Sequence, residues 1–359
     1  MKITFAYWGN YTIAFKNLLQ RLGFDVIVPE KTNPKVIEEG AKLAPELFCF
    51  PLKVNIGNYL PALRKGADTI LMWENIGGSC RMRYYWIIQE KVLREAGFNV
   101  KVMNFNSKNL ISRFKEIKKI NQASLWQMID AARLFFKEVN FIEKLEEKSH
   151  YLRPREKERG QVDKVLNDTL ERLNSNSPFA IKNLSSLIKD TREKLSLVKI
   201  EKDRPILKVG IIGEIYTIVD SEVNLGLDKK LGAMGVEVNR KLNLTRHLRG
   251  GFPPWNEWLL QKRVNSYLKT TVGGHGRQAI DEMLDYIKEG FDGIIQLLPF
   301  GCMPEVTVRP ILQKISQREN IPFLSVSLDE QTAEVGIQTR LEAFVDLIKS
   351  RKKLINSLK

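Results

Sequence analysis

Short apolar runs alternate with amphipathic stretches from the first residues of this chain, and that alternation admits few folds. Ile3 to Tyr7 is strand-like, Ile13 to Leu22 has the period of a helix stopped by Gly23, and Phe24 to Val28 forms a second strand before Pro29. Thr69 to Trp73 reads as a buried strand, Tyr84 to Ala96 as a helix closed by Gly97, and Phe98 to Met103 as another strand. The same grammar returns after Pro205, with strands at Leu207 to Ile212, Val236 to Val238, Gly293 to Leu298 and Phe323 to Val326. A last helix, about Gln338 to Ile348, gives way to a basic tail from Arg351 to Lys359. Strands separated by helices build βαβ units around parallel sheets. The expected fold is α/β, with two Rossmann-like (flavodoxin-like) parallel-sheet domains.

Between these halves the pattern changes. From about Leu110 to Lys199, Leu, Ile and Phe recur at helical spacing among many charges, with almost no strand signal. The expected organisation is an N-terminal α/β domain over 1–107, a charged helical insertion or bridge over 108–204, and a C-terminal α/β domain over 205–359. With 359 residues, 43% of them hydrophobic, each sheet domain can have its own core. No apolar run is long enough to cross a bilayer. The N-terminal strand lacks the features of a signal peptide, so a cytoplasmic location is expected. The formal charge of +15 suits an acidic or phosphate-bearing partner. It is spread through helical runs such as Arg113 to Lys119, where acids and bases interleave as on a solvated helix face. Nucleic-acid binding would need basic residues clustered with exposed aromatics. No such cluster stands out, so no nucleic-acid partner is expected.

The chain has three cysteines, too few for a disulfide scaffold. Cys49 lies before Phe50-Pro51-Leu52-Lys53, Cys80 after Gly77-Gly78-Ser79, and Cys302 in Phe300-Gly301-Cys302-Met303-Pro304. Each reads as a strand end running into a turn, and open α/β sheets keep their ligand crevices beyond the carboxyl ends of the strands. Helix starts after Cys80 and Cys302 would favour thiolates. Three thiolates can anchor a four-iron, four-sulfur (4Fe-4S) cluster and leave one iron open. Two other readings stand beside this one. The cysteines can be small buried hydrophobes, or they can hold zinc, although no Cys-x-x-Cys pair is present and the only histidines are His150, His247 and His275.

Two further residues are candidates for proton chemistry. Glu214 follows a buried strand in Gly213-Glu214-Ile215, and His275 sits in Gly273-Gly274-His275-Gly276-Arg277, a possible anion-binding turn before the helix Gln278 to Lys288. Arg81 and Arg83 beside Cys80 can offset cluster charge or dock a partner, or be solvated at a helix start. Trp73, Tyr84, Tyr85 and Trp86 read as packing residues.

Leu298-Pro299-Phe300-Gly301-Cys302-Met303-Pro304-Glu305, Ile321 to Leu324, and Asp329-Glu330 through Thr339-Arg340 together resemble the C-terminal signature of the 2-hydroxyacyl-CoA dehydratase and benzoyl-CoA reductase family. Val209 to Tyr216 resembles the opening of that family's second domain. The N-terminal half is most similar to its branch of relatives of the CoA-dehydratase activase. The resemblance implies a 4Fe-4S cluster held by Cys49, Cys80 and Cys302 between two α/β domains. It also implies low-potential electrons from a separate ATP-dependent activase, itself an iron–sulfur protein, and reductive or dehydrating chemistry on a CoA thioester or other small substrate. A homodimer or heterodimer would be expected. The resemblance leaves two alternatives: a non-catalytic electron carrier or cluster-assembly scaffold, and a double-cubane small-molecule reductase. One three-cysteine set, however, supplies ligands for a single cubane per chain.

Overall fold

The computed structural model describes residues 1–73, 80–106, 109–175, 181–249 and 254–357. The chain divides into two compact units, one of Met1–Ile142 and Thr169–Asp190, the other of Glu143–Asp168 and Thr191–Lys359. Gly77 and Gly78 lie outside the described residues.

The first unit begins β1 (Lys2–Phe5), α1 (Thr12–Arg21), β2 (Asp25–Val26), α2 (Pro34–Leu43), α3 (Phe50–Arg64), β3 (Thr69–Trp73), α4 (Tyr85–Glu95), β4 (Lys101–Phe105) and α5 (Leu110–Asn121). Its four strands are all parallel in the order β2-β1-β3-β4, with Ile3 opposite both Val26 and Thr69. Ile3, Phe5, Leu71 and Met103 from the sheet pack with Leu19 of α1, Leu22 just after it and Ile117 of α5. Three helices, α6 (Leu125–Leu152), α7 (Gln161–Ser175) and α8 (Ile181–Ser196), contribute residues to both units. Within the first unit, the buried carboxylate of Glu138 on α6 pairs with Arg21 at 2.6 Å and accepts from Asn17 at 3.3 Å. A charge out of water needs such partners.

The second unit repeats the plan. It carries β5 (Leu207–Gly213), α9 (Ile215–Val219), α10 (Leu227–Ala233), β6 (Val236–Arg240), α11 (Leu244–Leu248), α12 (Pro254–Val264), α13 (Gly276–Lys288), β7 (Gly293–Pro299), α14 (Met303–Arg318), β8 (Phe323–Leu328) and α15 (Glu334–Ser357). The strand order is β6-β5-β7-β8, again wholly parallel, so the two sheets share one topology. Ile212 and Ile294 pack against Ile280, Met283 and Tyr286 of α13 and Val308 and Leu312 of α14. These form the expected α/β fold with two parallel sheets.

Three local expectations give way. The strand expected from Phe98 starts instead at Lys101, because Phe98 is used to close α4: its N–H donates to the Leu93 carbonyl at 3.0 Å, past Gly97 at φ +89°. The final helix does not stop near Ile348. Leu341, Phe344, Val345 and Ile348 form one buried stripe, while the following Lys and Arg residues are good helix formers and carry α15 to Ser357. Cys49, finally, does not end a strand. It lies between α2 and α3, two helices that the sequence pattern concealed. Pro51 opens α3 in its first turn rather than ending an extended run. Helix α3 is buried almost all round, so it shows no amphipathic period.

Candidate functional site

The two sheets present Cys80 and Cys302 at matching places. In each order the neighbours β1/β3 and β5/β7 carry connections to opposite sides, which opens a crevice beyond their carboxyl ends. Cys302 follows β7 directly and is the N-cap residue of α14. Cys80 follows the equivalent strand β3 in the first unit and caps the 3-10 turn Arg81–Tyr84 that leads into α4. Cys49 is the N-cap of α3. Cys49 and Cys302 therefore stand at α-helix starts, where unpaired N–H groups and the helix dipole favour a negative sulfur, and Cys80 stands at the start of a 3-10 turn.

In the first unit, Arg81 ties two of these places together. Its Nη1 donates to the Leu47 carbonyl at 2.6 Å, and its guanidinium lies 5.2 Å from the centre of the Phe48 ring. The segment after Cys80 is thus bound to the segment before Cys49. Cys49 is only 8% exposed, and its Sγ lies 2.6 Å from the Tyr85 hydroxyl, itself buried on α4. A tyrosine hydroxyl is a good donor to a thiolate. Sequence pattern had assigned Tyr85 to packing; its bond to sulfur was not legible there. Cys49 is held in place by the close crossing of α2 and α3. A side chain at Gly57 would run into the Val36 carbonyl, and one at Gly40 into the Lys53 carbonyl.

In the second unit, Cys302 is 7% exposed and precedes by three residues the buried Glu305. Gly213 has φ +139° and presses against the Leu297 carbonyl, which leaves no room for a side chain. It turns the chain so that Glu214 caps α9, with Oε2 accepting from the Thr217 N–H at 3.1 Å. Burial pushes the Glu214 carboxyl up to about 7. Glu305, in the first turn of α14, is 0% exposed. Its Oε2 accepts from Gln296 Nε2 at 2.9 Å, and Gln296 Oε1 in turn accepts from the Ser325 hydroxyl at 3.0 Å. Its other oxygen, Oε1, is buried without a hydrogen-bond partner among the described residues. Burial foremost, and repulsion from Glu214, raise Glu305 to about 7 despite the Gln296 bond.

His275 is the residue that precedes α13. The adjoining Gly276 is packed so closely that an added Cβ would come within 3.3 Å of the Pro304 carbonyl. His275 Nε2 lies 3.0 Å from His247 Nδ1. Burial holds His247 down at about 4 and His275 well below the usual histidine range, where repulsion from His247 and Arg246 adds to it. The pair is therefore uncharged near neutrality, with one ring donating to the other. Arg277 is engaged with Glu257 and Gln261. Glu282 on α13 is raised to about 8 by burial, although Arg246 sits 3.1 Å away. Glu214 and His275, picked out in the sequence, are thus linked electrostatically through Glu305, Glu282 and Arg246 into one polar group. The sequence held one clue to it: Gln296, a polar residue inside the apolar run Gly293 to Leu298.

Among the described residues, no group of three or more His, Cys, Asp or Glu side chains is gathered as a metal centre. No helix among them is long and apolar enough to cross a membrane. Residues 2–75, which run from β1 past Cys49 to the end of β3, match the family model described as CoA enzyme activase uncharacterised domain. No curated protein matches the chain.

Proposed function

We propose that Cys49 and Cys80 of the first unit and Cys302 of the second ligate a 4Fe-4S cluster in a protein akin to the 2-hydroxyacyl-CoA dehydratases. An ATP-dependent activase would supply its low-potential electrons, for reductive or dehydrating chemistry on a small substrate such as a CoA thioester. The match of residues 2–75 to a CoA enzyme activase domain supports a place in that chemistry. The observation that carries the reading is the shared setting of the cysteines, each capping a helix start, with Cys80 and Cys302 after equivalent strands.

The donor set suits the group. Soft thiolates are the usual ligands of iron–sulfur clusters, and the helix starts and the Tyr85 hydroxyl stabilise sulfur in its anionic form. When bound, a cluster on three cysteines supplies an iron with one position open to water or substrate.

The remaining chemistry belongs to side chains of the second unit. Glu305 can hold a proton on its unpartnered Oε1, because Gln296 fixes the other oxygen. Glu214, lifted to the same range, is a second proton holder at the end of β5. Groups poised near neutrality are suited to delivering a proton to a departing hydroxyl or to taking one from carbon. His275, held uncharged by burial and bonded to His247, resists taking up a proton and serves as a neutral hydrogen-bonding group.

The test is anaerobic purification with metal analysis and electron paramagnetic resonance. Protein carrying about four irons per chain is expected, and each of Cys49→Ala, Cys80→Ala and Cys302→Ala should lose most of that iron. Stoichiometric zinc in place of iron would overturn the reading. A spectrum that shifts on adding a CoA thioester marks a catalyst; one indifferent to a panel of thioesters marks a non-catalytic electron carrier instead.

A further inference from the structure

Strand β8 is an edge of the second sheet. In a parallel ladder, the N–H and C=O of one residue point the same way and those of its neighbours point oppositely. The Pro322 and Leu328 carbonyls accept from Ile294 and Phe300 of the β7 side at 3.0 and 2.8 Å. Phe323, Ser325 and Ser327 consequently turn their backbone groups outward. Arg340 Nη2 reaches this outer side and covers the Ser325 carbonyl at 2.8 Å. The other outward groups have no backbone partner among the described residues.

A groove of about 570 Å³ runs along this edge. One wall is a stripe of α14 at helical spacing, with Arg309, Gln313 and Ser316; Arg340 of α15 also lines it. Its two charged residues are both arginines, with no carboxylate between them. Arg309 is exposed and makes no ion pair among the described residues.

We propose that this groove receives an extended acidic segment of a partner protein, which joins β8 as a further strand of the sheet. Its main chain would pair with Phe323, Ser325 and Ser327, and its carboxylates would face Arg309 and Arg340. An exposed strand edge is a ready template for such addition, with hydrogen bonds giving affinity and alternate side chains giving choice. Charge selects the occupant. A second copy paired edge to edge would bring like arginines together in a chain of net charge +15. A lone phosphate would answer the arginines and leave the strand edge unpaired.

Fluorescence anisotropy of a labelled short peptide alternating glutamate and valine, titrated with the full-length protein, tests this. Saturable binding is expected, weakened about ten-fold or more in the double variant Arg309→Gln, Arg340→Gln, in keeping with lost charge-assisted bonds. Both side chains lie at the surface, and circular dichroism checks that the variant is folded. The same peptide N-methylated at alternate residues should lose affinity comparably, because one of its edges can no longer donate. Equal affinity of the methylated peptide would overturn strand addition. Full displacement by millimolar inorganic phosphate would reassign the groove to a small anion. Concentration-dependent self-association abolished by Arg309→Asp would reassign it to a second copy of the chain.

Discussion

The carboxyl edges of the two sheets share a topology and differ in the charge of what surrounds their cysteines. Beside Cys49 and Cys80 stand a tyrosine hydroxyl and the cation Arg81, which also holds the Leu47–Phe48 backbone in place. A hydroxyl donor and a cation steady negative sulfur. In the second unit, Glu305 on the helix that Cys302 opens and Glu214 after β5 are carboxyls that burial raises to about 7. Strand order decided where a cysteine sits, and the packing around it decided which charge is welcome there. One edge is built to hold an anion, and the other to hold protons.

The largest expected break in this comparison falls on the first unit. Gly57→Ala should cost about 3 kcal/mol or more, because its Cβ would collide with the Val36 carbonyl, a backbone atom that cannot rotate away. Urea unfolding measures it. A cost below about 1 kcal/mol would mean that the α2–α3 crossing is slack and does not fix Cys49.

Next in size is a pH effect confined to the second unit. Glu305 has a folded value near 7 against an ordinary 4.5, so folding favours its protonated form. Its contribution is complete below about 4.5 and is lost as pH rises through 7. Glu305→Gln should therefore flatten the alkaline fall in stability, by on the order of 2–3 kcal/mol between pH 5 and 8. The histidines act in the opposite sense. His247, lowered from 6.5 to about 4, favours its neutral form, so its contribution is present above 6.5 and is lost as pH falls. Chemical denaturation of Glu305→Gln beside the unaltered protein across this range isolates the carboxyl's share. An unchanged slope in Glu305→Gln would show that Glu305 is already ionised in the folded chain.

The smallest effect expected is at Tyr85. Tyr85→Phe removes the donor to Cys49 Sγ and should cost about 1 kcal/mol while raising the thiol's pKa. Denaturation together with the pH dependence of slow thiol alkylation reads both. An unmoved alkylation profile would leave the first edge without its anion-steadying hydroxyl.

How far the sequence reached depended on the kind of element. Thr69 to Trp73 was legible to the residue, because a buried parallel strand is a short apolar run between turn signals. The setting of Cys302 was equally plain, since glycine and proline bracket it between a strand and a helix. Cys49 was misplaced because α3 is apolar on nearly every side and opens on a proline, so neither period nor start signal gave it away. The local sequence around Glu305 carries no sign of its burial. Only its distant neighbours Gln296 and Glu214 make it a buried acid.

By itself, the sequence determined the alternation of strands and helices, and with it two parallel sheets, because periodicity and turn residues act within a few positions along the chain. It also determined that three thiols exist and that Cys80 and Cys302 each precede a helix start. Tertiary structure alone decided that Gly40 and Gly57 meet across two helices, that Tyr85 reaches Cys49, and that Glu305 loses its water beside Glu214. Those facts depend on which residues from distant parts of the chain share one dry space. Desolvation and steric fit there are properties of the packed neighbourhood, and no local pattern carries them.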